Sequence, residues 1–193
     1  FNGETFRTIL DLDNDDALDF GSSSAVIKSK DGVFFFGQGN RGVVIYDPNS
    51  LRNITKSDGY KRSPISNIQF DNKNNLWLSS WWGQGLQQIE NEQIIKNLRV
   101  EDGLPDNRVN AFDFASDGTM WIATNNGAAT YYNNKIDKII KKEDGLPLNN
   151  VISLAVDDND NIWFYTLAGL TRYNGESFVT YTEEDGLVRP RGN

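Results

Sequence analysis

Apolar residues in this sequence arrive in short runs, alternating or continuous, and each run is closed within a few positions by Gly, Asn or Asp. No stretch sustains the spacing of an amphipathic helix, so the pattern predicts strands joined by tight turns. Ser24–Lys28, Ile65–Phe70, Val109–Phe114 and Val151–Val156 read as a first strand type, A. Leu76–Ser79, Met120–Ala123 and Ile162–Tyr165 read as a second type, B, each carrying a Trp. Between A and B lie Asp71-Asn-Lys-Asn-Asn75, Ser116-Asp-Gly118 and Asp157-Asp-Asn-Asp-Asn161. Such residues tolerate left-handed backbone and bond their own main chain, so A and B form hairpins. Strand C follows Gly42, Gly85, Gly127 or Gly169, and strand D is Ile94–Leu98, Ile136–Ile140 or Phe178–Tyr181, each ending at an Asp-Gly corner.

These runs recur. Phe35, Trp77, Trp121 and Trp163 are spaced by 42, 44 and 42 residues, and Asp16, Asp58, Asp102, Asp144 and Asp185 by 42, 44, 42 and 41. Glu-Asp-Gly-Leu is written out in full at 101–104, 143–146 and 184–187. Four strands of about five residues with their turns fill one such period, which is that of a propeller blade at roughly 40 to 50 residues. The predicted fold is therefore all-β, about four four-stranded antiparallel β-propeller blades plus one extra strand. Its repeat units run at about 16–57, 58–101, 102–143 and 144–184, with the extra strand in 1–9 and a tail at 185–193, all in one propeller segment 1–193.

The ends set a topological problem. Phe1-Asn-Gly-Glu-Thr-Phe6 matches Tyr173-Asn-Gly-Glu-Ser-Phe178, so both ends read as D strands and one is surplus to ring closure. Open blade edges must be covered or closed. The first reading is an arc of a larger wheel that supplies the remaining blades, the second a homodimer pairing open edges, the third a four-bladed ring. The chain opens at Phe1 rather than Met, which is read as a processed or excised piece.

Composition narrows the chemistry. The chain has 193 residues with 19 Lys and Arg against 27 Asp and Glu, a net charge of −8 that opposes capture of nucleic acid or anionic lipid. It contains no Cys and no His, which removes thiolate and imidazole from catalysis and metal binding. No apolar run approaches the roughly 20 residues of a membrane span, so no direct membrane insertion is expected from this segment. Asp11-Leu-Asp-Asn-Asp-Asp16 begins like a calcium loop but has Asp at its sixth position and Ser22 at its twelfth, so it fails that test and no metal or cofactor is expected. Asn53-Ile-Thr55 fits a glycosylation acceptor, silent in a bacterial protein.

The residues resemble the two-component regulator propeller repeat. Gly103-Leu-Pro-Asp-Asn-Arg-Val109 and Gly145-Leu-Pro-Leu-Asn-Asn-Val151 reproduce the first part of its pattern. Asp157, Trp163, Thr166, Gly169, Leu170 and Tyr173 reproduce the second. The first unit departs most, with Phe35 for Trp and Gln38 for Thr. The resemblance implies a periplasmic ligand-sensing region of a membrane-spanning sensor histidine kinase, often hybrid, that responds to oligosaccharides. It also implies a wheel of more blades than these, followed by an immunoglobulin-like domain, a membrane span and the kinase.

In a propeller the D–A and B–C connections share one face, where ligands usually bind. The B–C connection Ser79-Ser-Trp-Trp-Gly-Gln-Gly85 is two residues longer than Ala123-Thr-Asn-Asn-Gly127, and the insertion carries Trp81 and Trp82. Neither ring holds a repeat position, and flat aromatic faces stack on sugars. Packing over a neighbouring blade is the alternative. Asn40, Arg41, Asn125 and Asn126 from B–C loops and Arg62, Asn107 and Arg108 from D–A loops would surround them with amides and guanidinium groups suited to hydroxyls and carboxylates.

The Asp-Gly corners recur in every blade and are assigned to the fold: Asp accepts backbone N–H bonds, Gly takes positive φ and Leu wedges between blades. Asp113 stands where other blades have Ile27, Gln69 and Ala155, a lone carboxylate that could face the central channel, without the second acid a glycosidase needs. The expectation is a non-catalytic, oligosaccharide-binding sensor module. The alternatives are a protein-interaction scaffold and, behind it, a carbohydrate-active enzyme using Asp113.

Overall fold

The computed structural model describes residues 25–38, 42–47, 50–54, 60 and 63–188. The predicted strand at the N-terminus, the acidic run 11–16, the corners at Asp16 and Asp58, and the loop candidates Asn40, Arg41 and Arg62 lie outside these residues.

Four antiparallel sheets of four strands each follow one another, every sheet ordered as its strands occur in the chain. The first comprises β1 (Ala25–Lys28), β2 (Phe34–Gln38), β3 (Gly42–Asp47) and β4 (Ser50–Ile54). The second comprises β5 (Ile65–Phe70), β6 (Leu76–Ser80), β7 (Leu86–Glu90) and β8 (Gln93–Leu98). The third comprises β9 (Val109–Phe114), β10 (Met120–Thr124), β11 (Gly127–Tyr132) and β12 (Lys135–Ile140). The fourth comprises β13 (Ser153–Val156), β14 (Ile162–Thr166), β15 (Gly169–Tyr173) and β16 (Phe178–Tyr181). First strands lie side by side, β1 against β5, β5 against β9 and β9 against β13, as the inner strands of propeller blades do. The predicted A strand at Val151 begins two residues later. Val151 N–H donates to the Thr124 carbonyl of the preceding blade (3.0 Å), so its bond crosses the seam instead of joining its own sheet.

The recurring polar residues hold the hairpins. Asp71 Oδ1 accepts the N–H groups of Lys73 (3.0 Å) and Asn75 (2.8 Å), and Oδ2 accepts the Asn75 amide (2.8 Å) and the Trp77 indole N–H (3.1 Å). The fourth blade repeats the device: Trp163 Nε1 donates to Asp157 Oδ2 at 2.9 Å. That bond, then those from Asn161, draw the Asp157 carboxyl down to about 2. The third blade has Ala115 in place of this Asp, and its Trp121 packs edge-on against Phe164 across the seam, 6.0 Å between centroids.

At each Glu-Asp-Gly-Leu corner the Asp side chain accepts the N–H of the residue opening a one-turn 3-10 segment: Asp102 from Arg99 (2.9 Å), Asp144 from Lys141 (2.8 Å) and Asp185 from Thr182 (2.9 Å). The Gly then takes φ of 104°, 129° and 91°. The predicted wedges are in place at two corners, with Leu104 and Leu146 each only 2% exposed.

Three apolar clusters fill the seams between successive blades, Leu104 belonging to the second and Leu146 to the third. Side chains of the inner strands fasten the same seams. Ser66 Oγ donates to Val109 O (2.7 Å), Asn67 Nδ2 to Phe112 O (2.8 Å) and Asn110 Nδ2 to Val151 O (2.7 Å). Asp113 is another such fastener rather than a lone carboxylate. Its Oδ2 accepts Val156 N–H of the next blade (2.8 Å) and its Oδ1 accepts Phe114 N–H (2.9 Å).

Candidate functional site

The second B–C loop is built on the same frame as the third. Gly85 N–H donates to Asn107 O (2.9 Å) and Gly127 N–H to Asn149 O (2.7 Å), each reaching the D–A segment of the next repeat. Asn107 Oδ1 accepts Val100 N–H and Asn149 Oδ1 accepts Lys142 N–H, both at 2.8 Å. Glycine is required where β7 is approached: at Gly85, φ is +77° and a Cβ would lie 2.0 Å from the Leu98 carbonyl oxygen.

On that frame the two-residue insertion is tied down by its backbone while its rings are left outside. Trp81 N–H donates to Pro64 O and Trp82 N–H to Ser63 Oγ, both at 3.2 Å. Trp81 remains 50% exposed and Trp82 61%. By contrast Trp77, at the repeat position, is buried against Tyr131 with ring centroids 5.5 Å apart.

The other described candidates form the adjoining rim. Asn107 approaches the loop at Gly83, whose added Cβ would sit 3.7 Å from Asn107 Cβ. Asn125 N–H donates to Arg108 O (3.3 Å), and Asn126 Nδ2 donates to Pro105 O (3.3 Å). Asn125 Oδ1 accepts the Asn110 amide at 3.0 Å. Trp81, Trp82, Asn107, Arg108, Asn125 and Asn126 therefore share one rim across blades two and three. Three of them differ in duty: the amides of Asn107, Asn125 and Asn126 are engaged in holding loops, whereas Arg108 is exposed. Sequence reasoning missed Arg99, whose guanidinium donates to Gly83 O (3.4 Å) and lies 3.7 Å from Glu101, steadying the Trp loop from below. Its repeat equivalents are Lys141 and Thr182, so no recurring residue marked it.

Among the described residues nothing covers the same rim at the last blade. Leu167 and Val188, 67% and 88% exposed, line an open cavity of about 770 Å³ with Thr166, Gly169 and Leu187. Leu187 is only half-buried, unlike its equivalents Leu104 and Leu146. Among the described residues no group of three His, Cys, Asp or Glu side chains is placed to hold a metal ion, and no helix is long and apolar enough to cross a membrane.

These sheets, seams and corners define β-propeller blades. Residues 103–126 match the model of the two component regulator propeller family, from the Asp-Gly corner of the third blade through its B–C loop. The resemblance drawn from the repeats is thus borne out there. The fold is similar to the extracellular domain of a protein described as a hybrid two component system from B. thetaiotaomicron, with 25% identity and a TM-score of 0.70 over 80% of this chain and 22% of that one. A second such domain from B. thetaiotaomicron has 21% identity and a TM-score of 0.68, covering 84% of this chain and 22% of that one. Virginiamycin B lyase from Staphylococcus aureus shares the fold at 12% identity, with a TM-score of 0.65 over 83% of this chain and 55% of the enzyme. No curated protein matches the sequence. The chain thus spans about a fifth of the extracellular domains it resembles.

Proposed function

We propose that this chain is a non-catalytic, ligand-recognising part of the extracytoplasmic, periplasmic region of a two-component sensor, and that it binds an oligosaccharide on the rim bearing Trp81 and Trp82. The observation that carries this reading is the Trp pair itself. Its backbone is anchored by two hydrogen bonds, its rings are half or more exposed, and the repeat frame around it is complete without them. Two flat apolar faces beside an exposed guanidinium and amide edges suit a hydroxyl-rich ligand, whose ring faces stack and whose hydroxyls bond at the edge. Among the described residues the corner carboxylates of Asp102, Asp144 and Asp185 and the seam carboxylate of Asp113 accept backbone N–H groups, which supports binding without turnover.

Titration with soluble oligosaccharides tests this through tryptophan fluorescence. Quenching that is lost in Trp81→Ala and Trp82→Ala, with the melting temperature unchanged, is the expected result. Undiminished binding by both variants overturns the site, and glycan cleavage by the purified chain overturns the non-catalytic assignment.

A second reading, assembly, rests on the uncovered flank of the fourth blade. Leu187 sits where Leu104 and Leu146 are buried against a following blade, and Leu167 and Val188 lie exposed beside it, so this flank is read as the seat of a further blade or of a second copy.

A further inference from the structure

At the opposite ends of the strands, where the A–B and C–D turns emerge, each seam opens into a groove, and the three grooves differ in charge. Strand register makes Arg52, Lys96 and Lys138 equivalent, each two residues before the D-strand residue paired with the start of strand C. Register also equates the turns Asn91-Glu92 and Asn133-Asn134, all four residues at positive φ. In the first groove Arg52 forms a close ion pair with Glu92 and a second, at 3.7 Å, with Asp47. In the third, Lys138 shares the lining with Asp117, Asp137 and Asp160.

The middle groove, between blades two and three, breaks the pattern. Asn134 stands where Glu92 stood, so Lys96 reaches a neutral amide. Lys96 Nζ donates to Tyr131 OH (2.8 Å) and closely to Asn134 Oδ1, and Tyr131 OH donates to the same Oδ1 (2.8 Å). Its two lining carboxylates are turned into their own hairpins: Asp71 accepts four hydrogen bonds, and Asp117 accepts the N–H (2.8 Å) and hydroxyl (3.0 Å) of Thr119. Among the described residues Lys96 has no carboxylate within ion-pair distance. The groove holds about 710 Å³ and is edged by the amides of Asn72, Gln88 and Asn133 and by the half-exposed ring of Tyr132. Gly118 keeps it open to Asn72, because a Cβ there would fall 2.8 Å from Asn72 Nδ2.

We propose that this middle groove is a second binding site, for a hydroxylated carboxylate such as a hexuronic acid, whose carboxylate takes the counter-ion place that Glu92 fills in the neighbouring seam. The ammonium and phenol hold the carboxylate, a charge-assisted pair in a partly desolvated seam, and the surrounding amides bond the ring hydroxyls. This site is independent of the Trp rim and stands or falls separately from it.

The test is a titration of the whole chain with D-glucuronate, and in parallel with D-glucose, followed by amide shifts in two-dimensional NMR. Expected are saturable shifts around Lys96, Tyr131 and Asn134 with glucuronate, affinity falling as salt rises, and binding by glucose at least tenfold weaker. Lys96→Gln should weaken glucuronate at least tenfold. Asn134→Glu, which rebuilds the ion pair of the first seam, should abolish the response without loss of thermal stability. Trp81→Ala should leave it intact. Equal shifts with glucose, or a Lys96→Gln or Asn134→Glu variant that binds like the parent, overturn the proposal, and the parent titration decides even if a variant fails to fold.

Discussion

The second and third B–C loops rest on one hydrogen-bonded frame and end in different chemistry. Both close with a Gly N–H on the carbonyl of the next repeat's Asn, and in both that Asn side chain holds the 3-10 corner. The third loop then presents Asn125 and Asn126, partly absorbed in loop bonds, whereas the second presents two Trp rings that are half or more exposed. The difference teaches where variation is tolerated. The residues both loops share carry the hydrogen bonds of the frame, and the two that only one loop has lie outside that frame, where variation is tolerated.

The sharpest way to break this division is Gly85→Ala. A Cβ driven onto the Leu98 carbonyl at positive φ should lower unfolding free energy by about 3 kcal/mol or more, read as a shift of the urea midpoint. A midpoint unchanged within error would sink the claim that the frame carries the loop. Asn107→Ala should come next. It strips Val100 N–H of its acceptor and is expected to cost about 1 to 2 kcal/mol, with Asn149→Ala matching it at the third loop. Unequal losses would show that the two frames are not equivalent after all.

Acid sharpens the comparison from the other end of the strands. Asp157 has a folded pKa of about 2 against an ordinary 3.8, so its contribution is present above about 3.8 and fades as pH falls toward 2. Trp163→Phe removes the largest cause of that depression and should flatten the acid limb of the stability curve between those values. An unaltered limb in denaturation at pH 2 to 4 would assign the acid sensitivity elsewhere. The smallest effects belong to Trp81→Ala and Trp82→Ala, each expected within about 0.5 kcal/mol of the parent in stability, as for exposed positions. A loss above about 2 kcal/mol would mean the rings brace the fold.

What could be read from the sequence was whatever recurred. The Trp and Asp-Gly ladders located every described B strand and the corners at Asp102, Asp144 and Asp185, because each blade solves the same turn and wedge problem with the same residues. Asn107 shows the limit of that method from inside it: it belongs to the repeated Leu-Pro-x-Asn pattern, and only the structure shows that its Oδ1, like that of Asn149, accepts the N–H at the opening of the 3-10 corner. The duty of Asp113 was illegible because its partner, Val156 N–H, lies 43 residues away across a seam. The contrast of Glu92 with Asn134 was hidden for a related reason. It has meaning only once strand register, with its shift between Gln88 and Ile89, sets Lys96 beside Arg52.

The wedges at Leu104 and Leu146 carry a thermodynamic consequence. Among the described residues each blade is buttressed by its immediate neighbours, so the chain behaves as a row of coupled units whose cooperativity passes from one to the next. Hydrogen exchange would display such a row as protection that differs from blade to blade instead of one global value. A molecule lodged across the seam between blades two and three would strengthen one coupling in that row, and those two blades would unfold together.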